Sequence, residues 1–546
     1  MAFDSIDISD EENDDLSRAI ALSLEGKNNN ILTIQAQQEQ EQQDMRMALA
    51  LSLNKKVEEL TPREILLMES SVPTNSTTIT SFSSSSTKRK IPISENKNND
   101  QDQYGSDNNI SSSPETKEQQ PFKKTKIGTL STSNQQNNNY WNGTIKLTHI
   151  RGYCGPNFIR IEHIIQKSTL KKALITAYVW SKDFIEELIP QHINLCIVAH
   201  GRPAMRKQIG HNRVLIYPPM KDDKFGVFHP KLMLLFHSHY LRVVIGSANM
   251  ESYDYNDLEN VVFIQDFPEL TNGSNETMPP FANDICDLLD KMHIPGSVKD
   301  ELKKYDYSKA KAHIVASVSG IYEGEEASKK YGHTRLSTII KDLGAADPSK
   351  PPKVEMQTSS LGALNIGYLN ELYSSFCGIN PYVDGKKPLA KKKQTLPPID
   401  IIYPTYDTIL SSKLGPPGAG TICLNTDTWK KPTFPKQVMC DAISLRPGTL
   451  MHSKYIIATL QNNDNKKKSE NQLLGWIYCG SHNATTAAWG KLTLSRESKK
   501  PKMNISNWEL GVVLPITSES DYPAPYLRPA PRYQSSQQAW TQDMGY

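Results

Sequence analysis

Residues 229–249 read HPKLMLLFHSHYLRVVIGSAN. Two apolar runs separated by a short polar turn lie between a His-x-Lys start and a Gly-Ser-x-Asn end, and this pattern predicts two neighbouring buried strands. Residues 452–483 repeat the pattern with a longer polar insert, Asn462–Gln472. The residues that both copies share are His229, Lys231, Asn249, His452, Lys454 and Asn483. The repeat predicts two similar halves.

The remainder of the chain after about residue 139 alternates apolar stretches with amphipathic ones. Three apolar runs before the first copy of the repeat are predicted as strands, namely ALITAYVW, INLCIVAH and RVLIYP. Four more lie before, within and after the second copy, namely KVEMQTSS, IDIIYPT, GWIYCGS and WELGVVLP. FANDICDLLDKMH and LSTIIKDLG have the spacing of helices. Such alternation is typical of an α/β fold. We expect a first half over 139–325 and a second half over 326–546.

Composition excludes several classes of protein. The chain has 546 residues, a net charge of +3, and seven cysteines with no CxxC spacing. An odd number of scattered cysteines argues against a disulfide framework or a structural zinc site, and it favours a reducing compartment. Without an apolar run of about 18 residues, no membrane-spanning helix is expected, and the acidic start does not read as a secretory signal.

Residues 1–60 contain an internal repeat in which acidic residues precede LSRAIALSLE and then MRMALALSLN. The residues in matching positions are Leu16, Ala19 and Ser23 in the first copy and Met45, Ala48 and Ser52 in the second. Offsets of three and four place them on one helical face. The pattern resembles the ubiquitin-interacting motif, which implies that these six residues contact ubiquitin. The alternative is a pair of acidic amphipathic helices with another use.

Residues 61–138 are rich in Ser, Thr, Asn, Gln and Lys and lack apolar periodicity. This composition predicts a disordered linker. The linker contains two basic clusters, Lys88-Arg89-Lys90 and Lys123-Lys124-Thr125-Lys126. Their spacing suits a split nuclear-import signal, so we expect a nuclear protein; solubilising charge in a linker is the alternative.

The paired motif has the residue types that cleavage of a phosphodiester needs. A neutral imidazole can attack phosphorus, and a second, protonated imidazole can give its proton to the departing oxygen and then activate water. Two lysines and two asparagines can hold the non-bridging oxygens without a metal. A single His-x-Lys or Gly-Ser-x-Asn occurs by chance in many proteins, but two matched sets in separate halves do not readily arise by accident.

At this point the chain resembles the phospholipase D superfamily, whose halves each contribute a His-x-Lys motif. Most of that superfamily carries Asp five residues after the Lys, whereas this chain has Phe236 and Thr459 there. Absence of that Asp is the signature of the tyrosyl-DNA phosphodiesterase branch. LRVVIGSANM, NATTAAWG and NWELGVVLP also match that branch, and the resemblance covers roughly residues 140–540. It implies two phospholipase D-like α-β-α sandwich halves that form a pseudo-dimer, preceded by a largely disordered N-terminal tail with short helices.

The resemblance implies a role for each shared residue. His229 corresponds to the nucleophile that forms a phosphohistidine, and His452 to the general acid and then base. Lys231, Lys454, Asn249 and Asn483 correspond to the phosphate-holding set. Glu509 matches a carboxylate that orients a catalytic histidine, although alone it could be a surface charge. Asn260 stands where relatives carry Gln, one methylene longer, in the substrate site.

Four further positions match residues that contact DNA in the family. Phe225 corresponds to an aromatic that stacks on a base, and Tyr178 has a similar expected part; ordinary core packing is the alternative for both. Ser360 and Thr421 match polar loop positions that touch the DNA backbone, although such loops are common.

The sequence therefore predicts a metal-independent, cofactor-free hydrolase of DNA repair. Its expected partners are single- and double-stranded DNA with 3′ adducts, a topoisomerase I-derived peptide as substrate, and ubiquitin or ubiquitinated proteins, with no membrane. One alternative is another phosphodiesterase or nuclease of the superfamily. A second alternative is a ubiquitin-reading adaptor with a vestigial catalytic domain.

Overall fold

The computed structural model describes residues 139–544, with gaps at 223, 272, 274–276, 385–394, 462–471 and 519–521. The predicted ubiquitin-binding helices of 1–60 and the predicted disordered linker of 61–138 lie outside the described residues. In the described part of the chain, no helix has the length and apolar character needed to cross a membrane.

Within the described residues, nineteen strands build three sheets. The strands are β1 (Thr144–Thr148), β2 (Phe158–Ile159), β3 (Leu170–Thr176), β4 (Asn194–Val198), β5 (Met205–Gly210), β6 (Arg213–Tyr217), β7 (Leu232–His237), β8 (Tyr240–Gly246), β9 (Val261–Pro268), β10 (His313–Ser317), β11 (Gly320–Glu323), β12 (Lys353–Gln357), β13 (Ile399–Ile402), β14 (Met439–Cys440), β15 (Tyr455–Thr459), β16 (Gly475–Gly480), β17 (Lys491–Leu494), β18 (Pro501–Ile505) and β19 (Glu509–Ile516). The apolar stretches that the sequence predicts as strands all overlap this set.

Short helices connect the strands. They are α1 (Ile161–Ile165), α2 (Lys182–Leu188), α3 (Ser252–Asn256), α4 (Pro280–Lys291), α5 (Gly296–Leu302), α6 (Glu325–Lys329), α7 (Gly332–Asp342), α8 (Ile366–Phe376), α9 (Tyr406–Leu410), α10 (Thr426–Lys430) and α11 (Thr486–Trp489), together with single 3₁₀ turns at Pro416–Ala419, Lys436–Val438 and Gln542–Met544. Both helices predicted from the sequence are confirmed as α4 and α7.

The two large sheets share one topology. The nine-stranded sheet runs β2-β1-β9-β8-β7-β3-β4-β6-β5, and the seven-stranded sheet runs β10-β19-β16-β15-β12-β13-β14. With the two outer strands β2 and β5 set aside, the first order maps onto the second strand for strand, with the same parallel and antiparallel neighbours. The predicted duplication is therefore confirmed. The remaining sheet, β11-β18-β17, has three strands.

Apolar side chains divide into a central core and two outer cores. The central core contains residues of both large sheets, such as Val243 and Ile245 from β8 and Val512 from β19. The residue between the first two, Val244, points to the opposite face and joins the outer core of the first half, because side chains alternate along a strand. This arrangement is a pair of sheets packed face to face with helices outside.

Helices cover the outer faces through apolar residues at helical spacing. In α7, Leu336, Ile339 and Ile340 lie in the outer core of the second half. Helix α8 begins at the N-cap Asn365, whose side chain accepts a hydrogen bond from the backbone N–H of Tyr368 and thus satisfies a donor of the first turn.

The predicted boundary between the halves at residues 325 and 326 is wrong by more than ten residues. Strand β10, His313–Ser317, pairs antiparallel with β19 in the seven-stranded sheet. The second half therefore begins before His313. Residues 320–332 are rich in Gly, Glu and Lys, as a linker between halves would be, but they form β11 and α6.

Candidate active site

Each His-x-Lys segment lies just before its strand and not within it. Strand β7 begins at Leu232 and β15 at Tyr455, one residue after each lysine. Neither the histidine nor the lysine of either motif therefore lies in a regular strand. The backbone hydrogen bonds between the two neighbouring strands nevertheless begin at the lysines. The N–H of Gly246 donates to the carbonyl of Lys231 at 3.1 Å, and the N–H of Gly480 donates to the carbonyl of Lys454 at 3.3 Å. The two glycines end the neighbouring strands, as predicted.

The two segments cross between the halves. The backbone N–H of His229 donates to the carbonyl of Trp508 in the second half at 3.0 Å. Reciprocally, the N–H groups of His452 and Ser453 donate to the carbonyl of Glu259 in the first half at 2.9 and 3.0 Å. Each histidine is therefore fixed by the opposite half, and one site is built from both.

Glu509 holds His229. Its Oε2 lies 2.7 Å from Nδ1 of His229, and it also accepts a hydrogen bond from Ser481 Oγ at 2.5 Å. The other carboxylate oxygen accepts from Asn507 Nδ2 at 3.1 Å. Glu509 is 1% exposed, so the alternative of a surface charge is wrong. With Nδ1 engaged by the carboxylate, Nε2 of His229 is the nitrogen left for chemistry.

The two lysines have matching positions. Lys231 Nζ donates to the carbonyl of His229 at 2.8 Å, and Lys454 Nζ donates to that of His452. An ammonium has three protons, so each lysine retains donors for an anion. Both lysines are buried.

The two asparagines are anchored through their oxygens. Asn249 Oδ1 accepts from the N–H of Val179 at 3.3 Å. Asn483 Oδ1 accepts from the N–H of Ser360 at 3.0 Å and from Thr358 Oγ1 at 3.1 Å. An amide whose oxygen is engaged in this way presents its NH₂ group as a donor, which suits a phosphoryl oxygen.

Burial controls the charge of the site. It lowers the pKa of His229 to about 4, against the opposing effect of Glu509, and it lowers the pKa of His452 to about 4 with the help of Lys454. The lysines act across the halves as well, because Lys454 lowers the pKa of His229 and Lys231 lowers that of His452. The two motifs are thus close enough to interact electrostatically, and both histidines are neutral near pH 7.

Burial also lowers the pKa of Lys454 to about 7 and that of Lys231 well below its ordinary value. Burial alone would raise the pKa of Glu509, but His229 and Lys231 hold it at about 2. Two buried lysines beside each other repel, and an anion placed between them would relieve that repulsion. The site is therefore arranged to bind a negatively charged group.

The hydrogen bonds of the Asn260 side chain run to groups other than His229 and His452. It is fully buried; its Oδ1 accepts from Ser247 Oγ at 2.7 Å, and its Nδ2 donates to the backbone carbonyl of Asp254 at 2.9 Å. Both polar ends of its side chain are thus engaged within the first half, and its contact with a substrate stays a prediction.

Phe225 and Tyr178 are not core residues, so that alternative is wrong for both. The Phe225 side chain is 69% exposed, on a loop held by Arg202, whose guanidinium donates to the Phe225 carbonyl at 2.9 Å. Gly226 follows with φ +82°, and a Cβ there would lie 2.1 Å from the carbonyl oxygen of Ser506. Tyr178 is 39% exposed, and its ring centroid lies 5.6 Å from that of His229.

Ser360 and Thr421 flank the second motif. Ser360 donates its N–H to Asn483, as above, and forms a β-bridge with Cys423, which brings the loop of Thr421 alongside. The buried Thr421 Oγ1 has no hydrogen-bond partner among the described residues. Both positions thus border the site, and their contact with DNA stays a prediction.

Sequence reasoning missed two groups next to His452, Glu259 and Asp254. The backbone of Glu259 fixes His452, while its buried carboxylate is paired with Arg446, whose Nη2 lies 2.6 Å from Oε1. Asp254 lies beside the ring of His452. The one sequence signal for Asp254 is its place five residues after Asn249, because the second motif has no acidic residue five positions after Asn483.

A fully buried histidine of the second Gly-Ser-x-Asn motif, His482, lies behind the site. Tyr478 Oη is 2.5 Å from its Nδ1, and Ser317 Oγ is 2.9 Å from its Nε2. Burial lowers its pKa to about 4. His482 is therefore a neutral structural residue.

Among residues 139–544, outside the gaps given above, no group of three or more His, Cys, Asp or Glu side chains is placed to hold a metal ion.

Comparison with known proteins gives one consistent result. A family model described as Tyrosyl-DNA phosphodiesterase matches residues 144–543, and one described as Ubiquitin interaction motif matches 11–26 and 40–53. The Arabidopsis thaliana protein Tyrosyl-DNA phosphodiesterase 1 is 26% identical over 386 residues, which cover 66% of this chain and 59% of that protein. The Drosophila melanogaster protein of the same name is 27% identical over 316 residues, which cover 55% of this chain and 52% of that protein.

The matched regions thus span somewhat more than half the length of these two curated relatives. A crystal structure of the yeast tyrosyl-DNA phosphodiesterase superposes with a TM-score of 0.55 at 18% identity and covers 73% of this chain and 100% of that one. At this identity the likeness shows the fold, and it confirms the predicted α/β class.

Proposed function

Because the chain belongs to the tyrosyl-DNA phosphodiesterase family, we propose that it hydrolyses the bond between a DNA 3′-phosphate and tyrosine or another 3′ adduct. The observation that carries this proposal is the crossed site, in which two buried histidines from opposite halves share one pair of lysines and one pair of asparagines. Its donor set fits a single phosphoryl centre.

In the first step, Nε2 of His229 attacks phosphorus. Glu509 holds Nδ1–H and stabilises the positive charge that the ring acquires. The P–O bond to tyrosine breaks, and the phenolic oxygen takes a proton from Nε2 of His452. The product is a phosphohistidine that joins His229 to the DNA 3′ end.

In the second step, water attacks the phosphohistidine. His452, now neutral, accepts the proton of that water, the P–N bond breaks, and a DNA 3′-phosphate leaves with His229 restored. Lys231, Lys454 and the amide groups of Asn249 and Asn483 hold the non-bridging oxygens in both steps. Binding of the anionic substrate favours protonation of the lysines and of His452, which the site otherwise suppresses.

We propose that the DNA strand approaches over Tyr178 and Phe225. Both rings are exposed, the ring of Tyr178 lies 5.6 Å from that of His229, and base stacking on an aromatic surface tolerates any sequence. The stacking also suits single strands and frayed duplex ends. A tyrosine that remains on a topoisomerase I-derived peptide would then lie on the side of His452.

The test is a single-turnover assay with a 3′-phosphotyrosyl oligonucleotide in excess EDTA. We expect the oligonucleotide to gain a 3′-phosphate at undiminished rate under chelation, and His229→Ala to abolish the reaction. His452→Asn should slow release more than attack, so that a protein–DNA adduct accumulates on a denaturing gel. A wild-type protein that leaves this substrate intact but cleaves another phosphodiester would favour the alternative of a different superfamily enzyme.

We further propose that the N-terminal motifs recruit the enzyme to ubiquitin in the nucleus. The matches at 11–26 and 40–53 support ubiquitin binding. Deletion of residues 1–60 should abolish ubiquitin binding and leave turnover of a short oligonucleotide unchanged; equal loss of both would refute a simple tether. An inactive wild-type protein that still binds ubiquitin would favour the adaptor alternative. Replacing Lys88-Arg89-Lys90 by alanines should remove nuclear accumulation if import depends on that cluster.

A further inference from the structure

We propose that Asp254 is the positioning residue for His452, as Glu509 is for His229, and that Asn260 does not serve in that part. This inference rests on the proposed phosphodiesterase function. It assigns the orientation of the His452 ring to a residue of the short helix α3, and not to Asn260, which occupies the position equivalent to Glu509.

The twofold repeat identifies Asn260 as the counterpart of Glu509. Ser247 N–H donates to the carbonyl of Val261 and Ser481 N–H to that of Leu510, and each serine hydroxyl accepts from the N–H of the same residue. Val261 and Leu510 therefore occupy equivalent positions, and so do the residues that precede them, Asn260 and Glu509. Symmetry alone would place Asn260 against the ring of His452.

The side chain of Asn260 is engaged elsewhere. Its two hydrogen bonds run to Ser247 Oγ and to the backbone carbonyl of Asp254. Both ends of the amide are thus used, so Asn260 leaves the ring of His452 to another group.

The Asp254 carboxylate lies where that group is needed. Its Oδ2 is 3.2 Å from Nδ1 of His452, and the side chain is 1% exposed. The approach is oblique, since this Nδ1 has no hydrogen-bond partner by geometry among the described residues. Rotation of the imidazole about its χ2 bond, which is a soft torsion, would bring the N–H into line. Because the nitrogen is buried and its nearest carboxylate is Asp254, this pairing satisfies both groups.

A second contact fixes Asp254 itself. Its Oδ2 accepts a hydrogen bond from the backbone N–H of Asn249 at 2.5 Å. One carboxylate oxygen thus joins an asparagine of the first motif to the histidine of the second. Burial alone would raise the pKa of Asp254, but His452, the Asn249 amide and Lys454 hold it below its ordinary value, so the group is a carboxylate near pH 7.

The charges that act on His452 come from three directions. Lys454 lies on its own segment, Lys231 on the facing motif of the first half, and Asp254 on α3. The lysines oppose the imidazolium and Asp254 favours it. When a phosphodiester anion offsets the lysines, Asp254 remains to stabilise the protonated ring and so assists donation of the proton to the leaving oxygen.

The two halves reach this result by different elements. The residue five positions after Asn483 is Ala488, where the first half has Asp254 five positions after Asn249. The first half thus supplies its carboxylate from a helix, and the second half from a strand. Two histidines can act as a nucleophile and as an acid, respectively, only if their surroundings differ.

The experiment compares Asp254→Asn with wild type on two oligonucleotides that differ in their leaving groups, 3′-phosphotyrosine and the more acidic 3′-phospho-4-nitrophenol. A more acidic phenol needs less help from a general acid. We expect Asp254→Asn to slow tyrosine release on the order of tenfold or more, to leave nitrophenol release within about threefold of wild type, and to move the alkaline limb of the tyrosine profile to lower pH. The asparagine oxygen can still accept from Asn249.

Two controls separate a positioning role from a structural one. Asp257→Asn removes a carboxylate from the end of the same helix that pairs at the surface with Arg151 at 2.7 Å, and it should leave both substrates unaffected. On a His452→Asn background, Asp254→Asn should have no further effect on tyrosine release. Equal slowing of both substrates, or an additional loss in the double variant, would overturn the inference.

If Asp254→Asn does not fold, Asn260→Ala decides the question. It removes the amide but not the carboxylate, so the ratio of the two leaving-group rates should remain that of wild type. A selective loss of tyrosine release in Asn260→Ala would show that Asn260 is the positioning residue. Failure of the wild-type protein on both substrates would instead refute the proposed function.

Discussion

Replacing Glu509 by Gln should slow the first chemical step and spare the second. Glu509 contacts Nδ1 of His229 at 2.7 Å, and its other hydrogen bonds come from Ser481 and Asn507. Gln keeps the shape of the side chain but loses the charge, and one end of its amide becomes a donor that faces other donors. His229 therefore loses the group that fixes its tautomer and stabilises its positive charge after attack.

The magnitude follows from burial. Glu509 is 1% exposed, so water does not screen its bond to His229. A hydrogen bond to a buried charged group is worth about 1.5–3 kcal/mol. At about 1.4 kcal/mol per tenfold in rate, formation of the phosphohistidine should slow roughly 10- to 100-fold.

The assay is single-turnover quench of a 3′-phosphotyrosyl oligonucleotide, with free tyrosine, covalent adduct and 3′-phosphate measured in the same samples. Adduct should form slowly and never accumulate in Glu509→Gln, while an exposed control, Glu325→Gln, behaves as wild type. Adduct that forms at the normal rate and then persists would refute the reasoning, because it would mean that Glu509 acts on water activation and that the roles of the two histidines are exchanged.

Three other changes test separate parts of the structure. Phe225→Ala should weaken binding of a long single-stranded substrate by about 1–3 kcal/mol with unchanged thermal stability, since the ring is 69% exposed, and should have little effect on a mononucleotide ester. Arg446→Met leaves the buried Glu259 unpaired, which should cost about 3–5 kcal/mol in urea unfolding; adding Glu259→Gln should restore part of it, and no gain would contradict a charge effect. Acid should destabilise the fold, because the catalytic histidines have folded pKa values of about 4 and an unfolded pKa of about 6.5. Stability is then complete above pH 6.5 and falls as pH drops toward 4, by on the order of 1 kcal/mol per pH unit for each histidine, which calorimetry across that range would measure.

The sequence was sufficient for the strands because their chemistry is local. Stretches such as KLMLLFH are apolar enough to be buried on both faces, and residues of β7 indeed contribute to two different cores. Repetition of His-x-Lys and Gly-Ser-x-Asn then predicted the duplication, since the same pattern folds in the same way twice. The boundary near residue 325 was misplaced because β10 pairs with β19, about two hundred residues away, and no local pattern marks such a partner.

The lysines and asparagines of the site were predictable for the same reason, as they belong to the repeated motif. The residues that fix them were not. Glu259 acts through its backbone carbonyl, which any residue type would supply. Asn260 could be aligned with the strand position that orients a histidine, but whether its shorter side chain reaches the ring depends on hydrogen bonds to Ser247 and to the Asp254 backbone that only the folded chain forms.

Crossing of the two motifs explains why such residues matter. The ring of His229 depends on Trp508 and Glu509 of the second half, and that of His452 depends on Glu259 and, as we infer, Asp254 of the first. A change in the packing between the sheets would therefore displace both rings relative to the phosphate at once. Duplication supplies two like histidines, but the unequal groups supplied across the interface give one of them the surroundings of a nucleophile and the other those of an acid.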